Sequence, residues 1–273
     1  MTKPILILGG RGKTGSRVAD RLAARGLPVR LASRSTGFDW TERSTWAAAL
    51  EGAASAYITY YPDIAIKGAA EAIGAIAQLA LSVGVRRLVL LSGRGEVEAQ
   101  RAEEQLIASG ADWTIVRASW FNQNFDEGQF LDMVLGGEVA LPVDTVGEPF
   151  VDADDIADVA VAALTDDRHI GEVYEVTGPR LLTFREAVEE IKRASGLEVQ
   201  FRTMPAHEFL DSLVSSDVPD EIAGLLEELF SEVLDGRNES LADGVQRVLG
   251  RQPKDFAEFA REAAAKGAWR QAA

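Results

Sequence analysis

The chain has no cysteine, which excludes disulfides, thiolate nucleophiles and cysteine-built metal sites. Histidine is scarce as well. His169 and His207 are the only two among 273 residues, which argues against a structural or catalytic zinc site. No apolar run reaches the roughly 18 residues that a bilayer-spanning helix needs. The first apolar strand begins near residue 5, leaving no room for a signal peptide, so a cytoplasmic protein is expected. Positive charge is also short: 28 Lys and Arg face 43 Asp and Glu, for a net charge of -15. That balance repels nucleic acid and anionic membranes and favours a cationic small substrate. What remains is 47% hydrophobic and 26% charged, an ordinary globular composition for one large core or a core with a small appended domain.

The most informative stretch is the first 34 residues. Ile5-Leu6-Ile7-Leu8 has no polar face, as expected of a strand covered on both sides. It runs into GGRGKTG, which places Gly9, Gly12 and Gly15 at even spacing. A helix from Thr14 to Arg25 follows, Gly26 stops it, and Val29 to Ala32 begins a second strand. This βαβ order puts glycines where a backbone must approach a pyrophosphate, and turns a helix N-terminus toward it. A P-loop is excluded, because the glycine it needs five positions before Gly12 is Ile7. The expected cofactor contacts on the turn are Gly9, Gly12, Lys13, Thr14 and Gly15.

The end of the second strand selects the cofactor. An NAD site places Asp or Glu there to accept from the ribose hydroxyls. Here the residues are Ser33-Arg34-Ser35, with no carboxylate before Asp39. Arg34 offers a permanently charged fork suited to a 2′-phosphate, and Lys13 and Arg11 on the turn either add charge beside it or are ordinary solvated side chains. NADP(H) is therefore expected over NAD(H).

Further along, the pattern predicts a helix over Thr41 to Leu50, a strand over Ala54 to Thr59, and a helix over Asp63 to Val83 opened by Pro62. A strand over Arg87 to Ser92, a helix over Val97 to Ser109 and a strand over Trp113 to Arg117 come next. This alternation predicts an α/β fold with a doubly wound parallel sheet. Beyond residue 120 the rhythm changes. A helix is expected over Phe121 to Leu135, a short strand over Glu138 to Leu141 and a helix over Asp152 to Leu164. A strand over Val173 to Val176, read as an extension of the main sheet, precedes a helix over Phe184 to Ser195 and a strand over Val199 to Met204. Helical segments follow from Pro205. The expected division is a Rossmann domain over residues 1–150 and a smaller, mostly helical substrate-binding part over 151–273, partly interleaved with the main sheet and covering the carboxyl ends of its strands.

GGRGKTG, RRLVLLSGRG, LIASGADWTIVRASWFNQNF and PFVDADDIADVA together resemble the NmrA-like atypical short-chain dehydrogenases. FDW followed by STW (Phe38 to Trp46), GPRLLTFREA and GRQPKDFAEFA resemble, within that group, the bacterial relatives of the ergot-alkaloid reductases, festuclavine synthase and agroclavine dehydrogenase. The likeness covers nearly the whole chain. It implies an NAD(P)-binding Rossmann domain with a small C-terminal substrate domain. It also implies either of two activities: NADPH-dependent reduction of quinones, imines or enones, or non-catalytic redox sensing with a protein partner.

Conventional short-chain dehydrogenases use a serine, then a tyrosine with a lysine four positions on, to protonate a carbonyl oxygen. Ser92 stands where that serine would be. The helix that should carry the other two reads VEAQRAEEQLIAS and has neither. Ser92 is thus either a contact to substrate or nicotinamide, the one catalytic candidate, or a turn and capping residue. Iminium carbons and quinones accept hydride without a protein acid, which fits aromatic walls around a hydride donor. Tyr60 is expected beside the cofactor, and Tyr61, Trp120, Phe121 and Asn122 around the substrate; for the tyrosines, core filling is the competing reading. Gln100 and Glu103 face the pocket in some relatives, but on this helix they read as solvated. Asp152, Asp154 and Asp155 read as an acidic helix start. The expected partner is a small-molecule substrate, with homodimer formation left open.

Overall fold

The computed structural model describes residues 2–215 and 218–270. In chain order the elements are β1 (Ile5–Leu8), α1 (Lys13–Ala24), β2 (Val29–Ala32), α2 (Trp46–Leu50), β3 (Ser55–Ile58), α3 (Ala69–Ser82), β4 (Arg87–Gly93), α4 (Val97–Ala108) and β5 (Asp112–Ala118). Then come α5 (Leu131–Leu135), β6 (Glu138–Leu141), α6 (Ala153–Thr165), β7 (Glu172–Val176), α7 (Phe184–Ser195), β8 (Gln200–Thr203), α8 (Ala206–Ser215), α9 (Asp220–Glu228), α10 (Gly244–Leu249) and α11 (Phe256–Lys266). They fall into two compact units. The first comprises Met1–Ala118, Ala153–Val176 and Asp243–Arg251; the second comprises Ser119–Asp152, Thr177–Ala242 and Gln252–Ala273.

The first unit is the doubly wound α/β sheet. Six parallel strands run in the order β2-β1-β3-β4-β5-β7, so the Val173 to Val176 segment does extend the main sheet. β1 and β3 are buried along their whole length, which for β1 explains why Ile5 to Leu8 has no polar face. The strand order reverses between β1 and β3, and ligands of open α/β sheets sit beyond the carboxyl ends at such a switch. α3 owes its composition to close packing: seven of its residues are buried, five of them alanine, and a Cβ on Gly74 would stand 3.0 Å from the Gln105 side chain on α4. The acidic start of α6 is structural. Asp154 pairs with Arg21 at 2.8 Å, Asp158 with Arg21 at 2.6 Å, and Asp155 with Arg251 at 2.6 Å, tying α1 and the segment after α10 to α6.

The second unit has a two-stranded parallel sheet, β6 with β8, and the helices α5, α7, α8, α9 and α11. Its core is aromatic: Phe125, Phe130, Phe150, Phe184 and Phe256 are all buried, each ring contributing about 1.5–3 kcal/mol by leaving water. Thr183 and Glu186 form a capping box at the start of α7, with the Thr183 N–H donating to Glu186 Oε2 at 2.8 Å.

Three helices are shorter than expected. Asp39 accepts from the Thr41 N–H and hydroxyl at 2.9 and 2.8 Å, a local turn that competes with helix, so α2 begins only at Trp46. Asp63 likewise takes the Ala65 N–H at 2.9 Å and Gly68 is left-handed (φ +93), so α3 starts at Ala69 and Pro62 does not open it. The backbone from Trp120 to Asn122 is diverted into pairing with Val151, leaving five residues for α5 instead of a helix over 121–135.

Candidate active site

β1 delivers the chain into the glycine turn. Gly9 has φ +74, and a Cβ there would fall 2.0 Å from Thr59 Oγ1, whose hydroxyl donates to the Leu8 carbonyl at 2.9 Å. The end of β3 thereby clamps the turn, and only glycine fits beneath it. The Gly12 N–H closes the turn on the Gly9 carbonyl at 2.9 Å. A Cβ on Gly15 would stand 2.3 Å from that same carbonyl, so the third glycine lets α1 start directly against the turn. Gly12 itself is exposed. No side chain caps α1, and no acidic residue lies in its first turn. Its opening N–H groups have no intrahelical acceptor and carry the positive end of the dipole, a ready cradle for a phosphate.

The other turn residues differ in placement. Arg11 is exposed. Lys13 is half-buried, and its charge acts on Asp63; burial pushes the Asp63 carboxyl up, opposed by the Ala65 N–H and by Lys13. Thr14 is buried with its side chain beside the Tyr57 phenol, so its backbone amide is what it presents to the turn.

After β2, Arg34 lies in an exposed turn capped by Ser33 and Thr36. Its guanidinium sits 5.0 Å from the centroid of the Tyr61 ring and makes no hydrogen bond or ion pair among the described residues. Asp39, the nearest following carboxylate, is occupied by Thr41, whose hydrogen bonds with help from the charge of Arg34 hold it below the usual carboxylate range. Tyr61 is thus brought to Arg34 and is 60% exposed. Tyr60 turns the other way, onto Trp40 at 4.8 Å, in a cluster with Phe38 and Trp46.

Ser92 stands at the carboxyl rim of the same sheet. The register aligns Ile58 of β3 with Leu90 of β4, so β4 carries Ser92 past the end of β3. Its hydroxyl is buried and donates to Glu103 Oε1 at 2.5 Å. Arg117 grips the same carboxylate with two donors, Nε to Oε1 at 2.9 Å and Nη2 to Oε2 at 2.5 Å. Arg117 also reaches Glu175 at 2.7 Å, and Arg94 meets Glu175 at 3.2 Å. Glu103 is therefore not solvated: it is 4% exposed, paid for by Arg117, while Gln100 on the same helix is exposed as expected. The signal missed in the sequence was Arg117, a permanent charge at the end of an apolar strand.

In the second unit, Trp120 is half-buried on the aromatic core, parallel to Phe130 at 6.0 Å and edge-on to Phe184 at 5.5 Å. Its N–H donates to Glu148 Oε1 at 3.2 Å through the backbone. Phe121 is half-buried and bridges to Val151. Asn122 is fully buried, its backbone N–H fixed on the Val151 carbonyl at 2.9 Å, yet among the described residues neither Oδ1 nor Nδ2 of its side chain has a hydrogen-bond partner. Native interiors rarely leave a buried amide so, and ordered water, an ion or a bound group ordinarily completes it. His169 is a structural residue, its Nδ1 2.8 Å from the Tyr174 hydroxyl, and His207 is exposed. Among the described residues no cluster is arranged to hold a metal, and no helix is long and apolar enough to cross a membrane.

Known proteins resemble this chain in sequence and in fold. The chain is 31% identical over 272 residues to the uncharacterized oxidoreductase YesF of Bacillus subtilis, covering 94% of each chain. It is 30% identical to an agroclavine dehydrogenase of Claviceps fusiformis, covering 93% of this chain and 95% of that one. In fold it matches the Citrobacter triphenylmethane reductase solved with NADP(H), with a TM-score of 0.75 and 17% identity over 95% of this chain and 99% of that one. The model of the NmrA-like family matches residues 37–260, and the chain belongs to that family.

Proposed function

We propose that the protein is an NADPH-dependent oxidoreductase that passes hydride to a small planar acceptor, an imine or iminium, a quinone or an enone. The observation that carries this is the cradle at the switch point: glycines at 9, 12 and 15 under an uncapped helix N-terminus, with Arg34 and no carboxylate taking the end of β2. The named activities of YesF and agroclavine dehydrogenase and the NADP(H) bound to the triphenylmethane reductase support it.

In this proposal the turn at Gly9, Gly12 and Gly15, with the amides of Lys13 and Thr14, holds the pyrophosphate, and Arg34 holds the 2′-phosphate. Tyr61, expected around the substrate, lies against Arg34 and is assigned to the adenosine end instead, and Tyr60 lines the cofactor from its seat on Trp40. Reduced nicotinamide supplies the hydride. Trp120 and Phe121 provide flat apolar surface for the acceptor, and Asn122 provides the hydrogen bonds its buried amide lacks. No tyrosine or lysine occurs between Val97 and Ala108, so the reaction is assigned to acceptors that need no protein acid. An iminium becomes a neutral amine on receiving hydride, and a reduced quinone takes its proton from water.

NADPH consumption against quinones, cyclic imines and enones tests the assignment. Rapid oxidation with at least one class supports it. Tight binding of both NADPH and NADP+ with no turnover would replace it with a redox sensor.

A further inference from the structure

The hydrogen bond between Ser92 and Glu103 has a direction, and that direction limits what Ser92 can offer a ligand. Glu103 lies in the fork of Arg117, which donates to both of its oxygens, and the ionised carboxylate that results can only accept. Arg117 is held in place in turn by Glu175. The hydrogen between Ser92 Oγ and Glu103 Oε1 therefore belongs to the serine and points away from the rim, toward α4. Ser92 Oγ is left with lone pairs. Conventional dehydrogenases use a serine here to donate to a carbonyl oxygen; in this chain that hydrogen is committed elsewhere.

Resting on the functional reading above, we propose that Ser92 is a specificity-determining hydrogen-bond acceptor, set in that polarity by Glu103 and Arg117, which selects acceptors carrying an N–H beside the electrophilic carbon, such as a protonated cyclic imine. A ketone or quinone oxygen meets lone pair against lone pair at Ser92 and gains nothing. An iminium N–H finds an acceptor whose oxygen is made more basic by donating to a carboxylate. Glu103 and Arg117 act through Ser92 and are positioning residues.

Three acceptors separate the possibilities: 3,4-dihydroisoquinoline at a pH where its nitrogen is protonated, N-methyl-3,4-dihydroisoquinolinium, which is equally cationic but has no N–H, and a naphthoquinone. For the wild type, kcat/KM for the N–H iminium is expected to exceed that for the N-methyl compound by about tenfold, the worth of one hydrogen bond to a charged group. Ser92→Ala should bring that ratio to about one, because the acceptor for the iminium N–H is gone. Ser92→Thr, which keeps the hydroxyl, should restore it. Glu103→Gln should reduce the ratio and raise quinone turnover, because the serine hydrogen is no longer claimed by a full charge; should that variant fail to fold, the two Ser92 variants decide. A ratio that survives Ser92→Ala overturns the inference and leaves the oxidoreductase assignment standing. Absence of turnover with all three acceptors overturns the inference, and if enones are inert as well it removes the oxidoreductase assignment too.

Discussion

Replacing Asn122 should make the unliganded protein more stable and the enzyme worse. The side chain is fully buried and, among the described residues, neither polar atom has a partner. An amide buried this way costs about 1–3 kcal/mol in proteins. Asn122→Leu keeps the branching and the number of side-chain atoms and removes the penalty, at some cost in crowding from two larger methyl groups. A net gain of about 1 kcal/mol corresponds to a rise of about 2–4 °C in the Tm of the unliganded protein. Asn122→Asp has the opposite sign, because it puts a charge at a fully buried position. Differential scanning fluorimetry without ligands measures both. Steady-state kinetics should show the converse, with kcat/KM in Asn122→Leu down by about tenfold or more for loss of the ligand's hydrogen bonds. If Asn122→Leu lowers the Tm as far as Asn122→Asp, or leaves kcat/KM intact, the orphaned amide is not a ligand-binding group.

Other consequences follow from the same structure. Arg34→Ala should weaken NADP(H) binding by about 1–3 kcal/mol and NAD(H) binding little, read by titration calorimetry; equal weakening of both would remove the 2′-phosphate assignment. Gly15→Ala drives a Cβ to 2.3 Å from the Gly9 carbonyl, so it should cost about 1–3 kcal/mol in urea unfolding and weaken dinucleotide binding. Gly224→Ala, on α9 with nothing within 4 Å of its Cβ, should be neutral or stabilising in the same assay. Burial lowers the pKa of His169 below its usual 6.5. The unfolded chain therefore binds a proton that the folded one refuses, and stability present above 6.5 is lost as pH falls below it. The drop in unfolding free energy between about pH 7.5 and about pH 5.5 should be smaller in His169→Asn; an unchanged drop would show that this histidine does not contribute.

The opening turn of the fold was legible because its signals are local. Ile5 to Leu8 reads as a covered strand, and three glycines mark the turn into α1. The capping box of Thr183 and Glu186 is similarly confined to one helical turn. What escaped depends on partners distant in sequence. Glu103 looked solvated because Arg117, which makes its burial tolerable, comes from the neighbouring strand. The expected helix over 121–135 failed because Val151, nearly thirty residues on, claims the backbone of Trp120 and Asn122. Asp63 and Gly68 delayed α3 through a turn whose hydrogen bond is local but whose weight against helix propensity is not visible in the pattern. Tyr61 is separated from Tyr60 by the rotation of a single residue, which pattern alone does not set.

In the proposed function an NADP-type dinucleotide lies over the turn from Gly9 to Gly15 with its extra phosphate on Arg34. Calorimetric titration of the purified protein with NADPH and with NADH tests it most directly. NADPH should bind more tightly by about 5- to 150-fold, the equivalent of about 1–3 kcal/mol. Equal affinity for the two, or no heat with either, would contradict it.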